Sequence, residues 1–114
     1  MTEGVNTIIF PVKDLAAARA LYSSFLGVEP NVDQPYYVNF NVDGQDIGLD
    51  PNGHAQGTTG PICFRQVADI EKSLQLLLDA GAEPHQAVRN VGGGKLVASV
   101  KDADGNLLGL IQPA

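Results

Sequence analysis

The chain repeats itself, and that repetition limits its fold more than any other feature. Val12-Lys13-Asp14-Leu15 returns as Val67-Ala68-Asp69-Ile70, and Gly27-Val28-Glu29-Pro30 returns as Gly81-Ala82-Glu83-Pro84. Gly48-Leu49 is echoed by Gly109-Leu110. A sequence written twice builds one supersecondary unit twice, so the unit is the thing to read. The spacing between echoes widens late in the repeat. Gly92-Gly93-Gly94 and the Asp102-Ala103-Asp104-Gly105-Asn106 turn supply the extra residues of the second copy.

Each copy opens with a strand-like apolar run, Val5 to Val12 and then Pro61 to Val67. Asp14 and Asp69 follow, each placed to cap a helix with its carboxylate. Leu15, Ala18, Tyr22 and Phe25 recur at helical spacing in the first copy, and Ile70, Leu74, Leu77 and Leu78 in the second. Gly27 and Gly81 fall where a helix ends in a left-handed residue, and Glu-Pro follows both. Tyr36 to Val42 then alternates, with Val38, Phe40 and Val42 apolar and Tyr37, Asn39 and Asn41 polar. Asp43-Gly44 is a tight-hairpin signal, and Gln45 to Asp50 returns from it. Lys95 to Lys101 and Leu107 to Gln112 form the matching hairpin. Asn31 to Pro35 reads as either a short edge strand or a loop. The expectation is a single α+β domain over residues 1–114, with one βαβββ unit at 5–50, a Gly-rich linker at 51–60 and a second unit at 61–112.

Charge and composition narrow the function. Seven basic against thirteen acidic residues give a net charge of −6, which disfavours nucleic acid and either suits a cationic ligand or serves solubility alone. No apolar run is long enough for a membrane span. Met1-Thr2-Glu3-Gly4 lacks the basic and apolar stretches of a signal peptide, so a cytoplasmic location is expected. One cysteine, Cys63, and two distant histidines give none of the usual zinc spacings.

Paired βαβββ units of this length resemble the vicinal oxygen chelate superfamily, which includes glyoxalase I, extradiol dioxygenases and bleomycin-resistance proteins. The resemblance runs from Asn6 to Gln112. It is strongest in VKDLAAARALYSSFLGVEP and in VKDADGNLLGLIQ, which is similar to the family's terminal DPDGN hairpin with Ala103 in place of proline. It implies a curved mixed sheet around a cavity and a homodimer. It also implies that the metal-binding members carry one ligand on the first and one on the last strand of each unit. Carried over, those positions are Thr7, Gly48, Ile62 and Gly109. Glycine and isoleucine have no donor, so no metal and no other cofactor is expected. Two glycines on such strands open space for the close approach of a flat ligand, or else they relieve strand twist.

By alternation, Thr7 and Ile9, then Asp46, Gly48 and Asp50, then Ile62, Phe64 and Gln66, and Leu107, Gly109 and Ile111 share the face that holds those positions. Tyr37, Asn39 and Asn41 join them if their strand turns its apolar side to the helix. The binding residues expected are therefore Thr7, Ile9, Tyr37, Asn39, Asp46, Gly48, Asp50, Ile62, Phe64, Leu107 and Gly109. His54 and His85 read as loop histidines. The function expected is metal-independent binding of a small molecule, such as sequestration of an antibiotic or metabolite. Broad stacking on bleomycin is disfavoured by the lack of tryptophan. The alternative is an enzyme of the same superfamily (lyase, isomerase or dioxygenase-like) that uses Asp46, Asp50, Tyr37 or His54. A ferredoxin-like dimeric barrel is the second fold reading.

Overall fold

The structure is a computed structural model and describes residues 4–57 and 60–114. Met1–Glu3, and Thr58 and Thr59 of the expected linker, lie outside the described residues. Among the described residues eight strands and two helices follow one another as βαβββ, a short 3-10 turn at His54–Gln56, and βαβββ again. The first set is β1 (Val5–Pro11), α1 (Leu15–Leu26), β2 (Val32–Gln34), β3 (Tyr37–Val42) and β4 (Gln45–Asp50). The second is β5 (Ile62–Gln66), α2 (Ile70–Asp79), β6 (Glu83–Asn90), β7 (Leu96–Lys101) and β8 (Leu107–Gln112). Contacts divide the described residues into two compact units, one within 7–61 and one within 62–114, the latter grouped with residues 4–6. Among the described residues no helix is long and apolar enough to cross a membrane.

In the first unit the strands run in the order β2-β3-β4-β1. β4 turns back from β3 antiparallel, then lies parallel to β1 with Thr7 opposite Asp46 and Ile9 opposite Gly48. The turn between β3 and β4 uses Asp43 at φ 52° and Gly44 at φ 86°, the paired left-handed geometry that a two-residue hairpin needs. Asp14 caps α1 by accepting from the Ala17 N–H at 3.0 Å, and Gly27 ends it at φ 74°. α1 covers the sheet face formed by Val38, Phe40, Ile47 and Leu49, with Ile8, Phe10 and Tyr22 packed around them. Phe40 and Leu49 are fully buried. One sequence reading fails here. Phe25 is 80% exposed, and Leu26 packs against the core instead. At three-and-four spacing both residues border the apolar stripe, and the helix's rotation selects the second.

The second unit repeats this plan in the order β5-β8-β7-β6, with β8 parallel to β5 and antiparallel to β7. Asp69 caps α2 through the Lys72 N–H at 3.2 Å. Val67, Ala98 and Leu110 form the core beneath that helix together with its own Ile70, and Leu74 and Leu77 pack against them. β6 is the element the sequence left unplaced. Glu83-Pro84-His85-Gln86 carries no clean alternation, and its pairing with β7 is broken by two register shifts. A bulge inverts the in-and-out pattern on which a strand reading depends.

Candidate functional site

Each sheet has one face under its helix and one face without a helix. In the first unit the helix takes Ile8, Phe10, Val38, Phe40, Ile47 and Leu49. Alternation therefore leaves Thr7, Ile9, Tyr37, Asn39, Asn41, Asp46, Gly48 and Asp50 together on the other face. The register agrees, with Thr7 and Asn41 flanking Asp46, and Ile9 and Asn39 flanking Gly48. Every binding residue expected from this half of the sequence falls on that one surface.

These side chains form a hydrogen-bonded cluster. The Tyr37 hydroxyl donates to Asn39 Oδ1 at 3.2 Å. Asn39 Nδ2 donates to Asp46 Oδ1 at 3.0 Å and to Asn31 Oδ1 at 2.9 Å. Asn41 Nδ2 reaches the same Asp46 oxygen at 2.9 Å. Asp50 accepts from the Asn52 N–H at 2.8 Å. Thr7 and Asn39 are buried although polar. Two amides thus hold one oxygen of Asp46, and among the described residues its second oxygen has no donor. Asn31 is the member that the sequence reading missed. It precedes the short β2, where no periodicity points to a face.

Gly48 does not leave open space, contrary to the sequence expectation. A Cβ built there would run into the Tyr37 hydroxyl and lie 2.7 Å from Cζ of that ring. The flat group that approaches the glycine is the protein's own tyrosine. Burial, then the charges of Asp46 and Asp50, push the Tyr37 phenol up to about 12. A phenol raised above its unfolded value keeps its proton in the folded state while the unfolded chain ionises. Stability is therefore complete below about pH 10 and falls between about pH 10 and 12. A phenolate absorbance step near pH 12 that disappears in Tyr37→Phe is the expected observation. The same step near pH 10 would contradict the buried placement.

In the second unit Phe64 lies opposite Gly109 on β8, and Ser99 faces the same glycine from β7. Ile62, Gln66, Leu107 and Ile111 share that helix-free face by alternation. A Cβ on Gly109 would strike the Phe64 ring, with Cγ at 2.8 Å, so this glycine too is filled rather than open. His85 Nδ1 and the buried Ser99 hydroxyl are 2.8 Å apart. That pair corrects the reading of His85 as a plain surface histidine, and Ser99 is a residue that the sequence reading missed. His54 is exposed in the 3-10 turn and joins neither face.

The carried-over metal positions offer an ion no imidazole and no carboxylate, and the space over both glycines holds aromatic rings. Among the described residues no three His, Cys, Asp or Glu side chains gather where they could hold a metal. The residues present do not fit a metal there.

Two βαβββ units, each closing its last strand parallel to its first beneath a single helix, define a paired-module α+β class. The sequence model of the Glyoxalase/Bleomycin resistance protein/Dioxygenase superfamily matches residues 4–110, and the chain belongs to that superfamily. Solved structures agree on the fold. A protein described as an NAD-dependent benzaldehyde dehydrogenase from Legionella pneumophila superposes with a TM-score of 0.78 at 18% identity, covering 95% of this chain and 98% of that one. A superfamily member from Vibrio splendidus gives 0.72 at 19%, covering 94% and 97%. The Mn(II)-bound glyoxalase from Novosphingobium aromaticivorans gives 0.68 at 17%, covering 97% of this chain and 39% of that one. No curated protein matched significantly in sequence. Such different descriptions on one fold make the likeness one of architecture, so function has to be argued from the site.

Proposed function

We propose that this chain is a metal-independent small-molecule-binding protein of the glyoxalase/bleomycin-resistance type, which holds its ligand on the helix-free face of the first unit. The supporting observation is the Tyr37 ring lying over Gly48 beside an oriented Asp46. A neutral phenol covers the carried-over position Gly48, and an amide-held carboxylate sits two residues before it on β4. Asp46 and Asp50 on one strand, in a chain of net charge −6, favour a ligand with a positive charge. Tyr37 and Ile9 supply apolar area, and Asn39 and Asn41 fix the carboxylate. Sequestration of a cationic antibiotic or metabolite in the cytoplasm, by a homodimer, is the role that fits.

Calorimetric titration with benzyltrimethylammonium and with its neutral isostere tests this. The cation is expected to bind more tightly than the neutral compound, and Asp46→Asn should weaken it about tenfold, as expected for loss of a contact to a charged group. EDTA should change nothing. Binding that EDTA abolishes and Mn(II) restores would sink metal independence. Turnover lost in Asp46→Asn while binding survives would favour the enzyme reading. A monomer in light scattering would remove the dimer.

A further inference from the structure

We propose that the second unit carries a separate binding site for a small amphiphilic carboxylate, a fatty-acid-like anion, between α2 and the helix-side surfaces of β5 and β8. α2 packs chiefly over β6, β7 and β8, and a gap is left between it and the helix side of β5. A pocket of about 360 Å³ opens in that gap, walled by Cys63, Leu76, Leu77, Leu108 and Leu110. Leu76 and Leu108 remain 62% and 41% exposed. The volume falls at the small end of the range of about 300–1,000 Å³ typical of ligand pockets.

The pocket has a polar outlet. Arg65, Ser73 and Leu76 form part of its wall and also part of a wider recess, about 800 Å³, at the start of α2. That recess contains Lys72 and one acid, Asp69, whose carboxylate caps the Lys72 N–H. Arg65 is already engaged by another group of the protein, so the anion contact is assigned to Lys72. Lys72 is exposed and makes no ion pair among the described residues. An apolar cleft that opens past a hydroxyl toward an ammonium matches a hydrocarbon tail ending in a carboxylate. A cationic ligand, favoured by the rest of this acidic chain, is disfavoured at this spot.

Calorimetric titration of the full chain with decanoate is the test. Saturable binding is expected, weakening about fourfold for each methylene removed from the tail. Decanol should bind at least tenfold more weakly, and decyltrimethylammonium weaker still. Decanoate should also slow alkylation of Cys63 by iodoacetamide. Ser73→Phe should block the tail, with folding checked by circular dichroism. Lys72→Gln should weaken decanoate about tenfold while leaving decanol unchanged, and it decides the matter if Ser73→Phe does not fold. Lys72→Gln is also expected to leave benzyltrimethylammonium affinity as it was, so failure here and failure at the first unit's face are read apart. Absence of saturation by decanoate, affinity independent of tail length, or undiminished binding by folded Ser73→Phe would each overturn the proposal.

Discussion

Gly48→Leu should destabilise the protein by about 3 kcal/mol, the sum of overpacking and of one lost hydrogen bond. A side chain at this position meets Cζ and Cε1 of Tyr37 at 2.7 and 2.9 Å even before its own γ and δ carbons are placed. The ring cannot stay, and its hydroxyl leaves Asn39. Thermal melting should report a fall in Tm of roughly 10 °C or more. The diagnostic result is the double variant. Gly48→Leu with Tyr37→Ala returns the volume that the ring vacates, so the pair should be more stable than the sum of the single losses. Strict additivity would mean that glycine is kept for its backbone and not for the ring above it.

Gly109→Leu should cost a similar amount, about 3 kcal/mol, for a related reason in a different setting. Here the obstructing group is Phe64, which is 9% exposed, and its Cγ lies 2.8 Å from the built Cβ. No polar bond is lost, so the whole effect is steric and should be recovered in part by Phe64→Ala in the same chain. Chemical denaturation of the four species is the measurement. An unchanged Gly109→Leu midpoint would show that Phe64 moves aside freely and that the apposition carries no strain.

These glycines also show where reading the sequence stopped working. Their positions on the strands and the face they occupy followed from a period of two, which depends only on backbone geometry. The same rule collected Thr7, Tyr37, Asn39, Asp46 and Asp50 on one surface. What filled the space above Gly48 did not follow, because Tyr37 reaches it diagonally from the neighbouring strand and its rotamer is set by burial and by Asn39. Caps at Asp14 and Asp69 were legible because a carboxylate acts within a few residues of itself. The His85–Ser99 pair joins separate strands through a bulged register, and no local pattern encodes it. Phe25 was misplaced because helical spacing fixes a stripe but not which border residue turns inward.

The broken register of β6 bears on how this protein meets other chains. β6 stands at the end of the second unit's strand order, and an outer strand exposes a row of unpaired donors and acceptors on which a foreign strand can template itself. Templating needs an even spacing, and β6 lacks one. Pro84 removes a donor near its start, and the shifts between Pro84 and Gln86 and between Gln86 and Arg89 put the remaining groups out of step. At the outer end of the first unit β2 is only three residues long, and Arg19 of α1 grips its Asp33 at 2.9 Å. Growth into fibrils by strand addition is thereby obstructed at both of these borders. What the two borders leave for contact with another chain is side-chain surface, which discriminates by shape and charge as a backbone ladder does not.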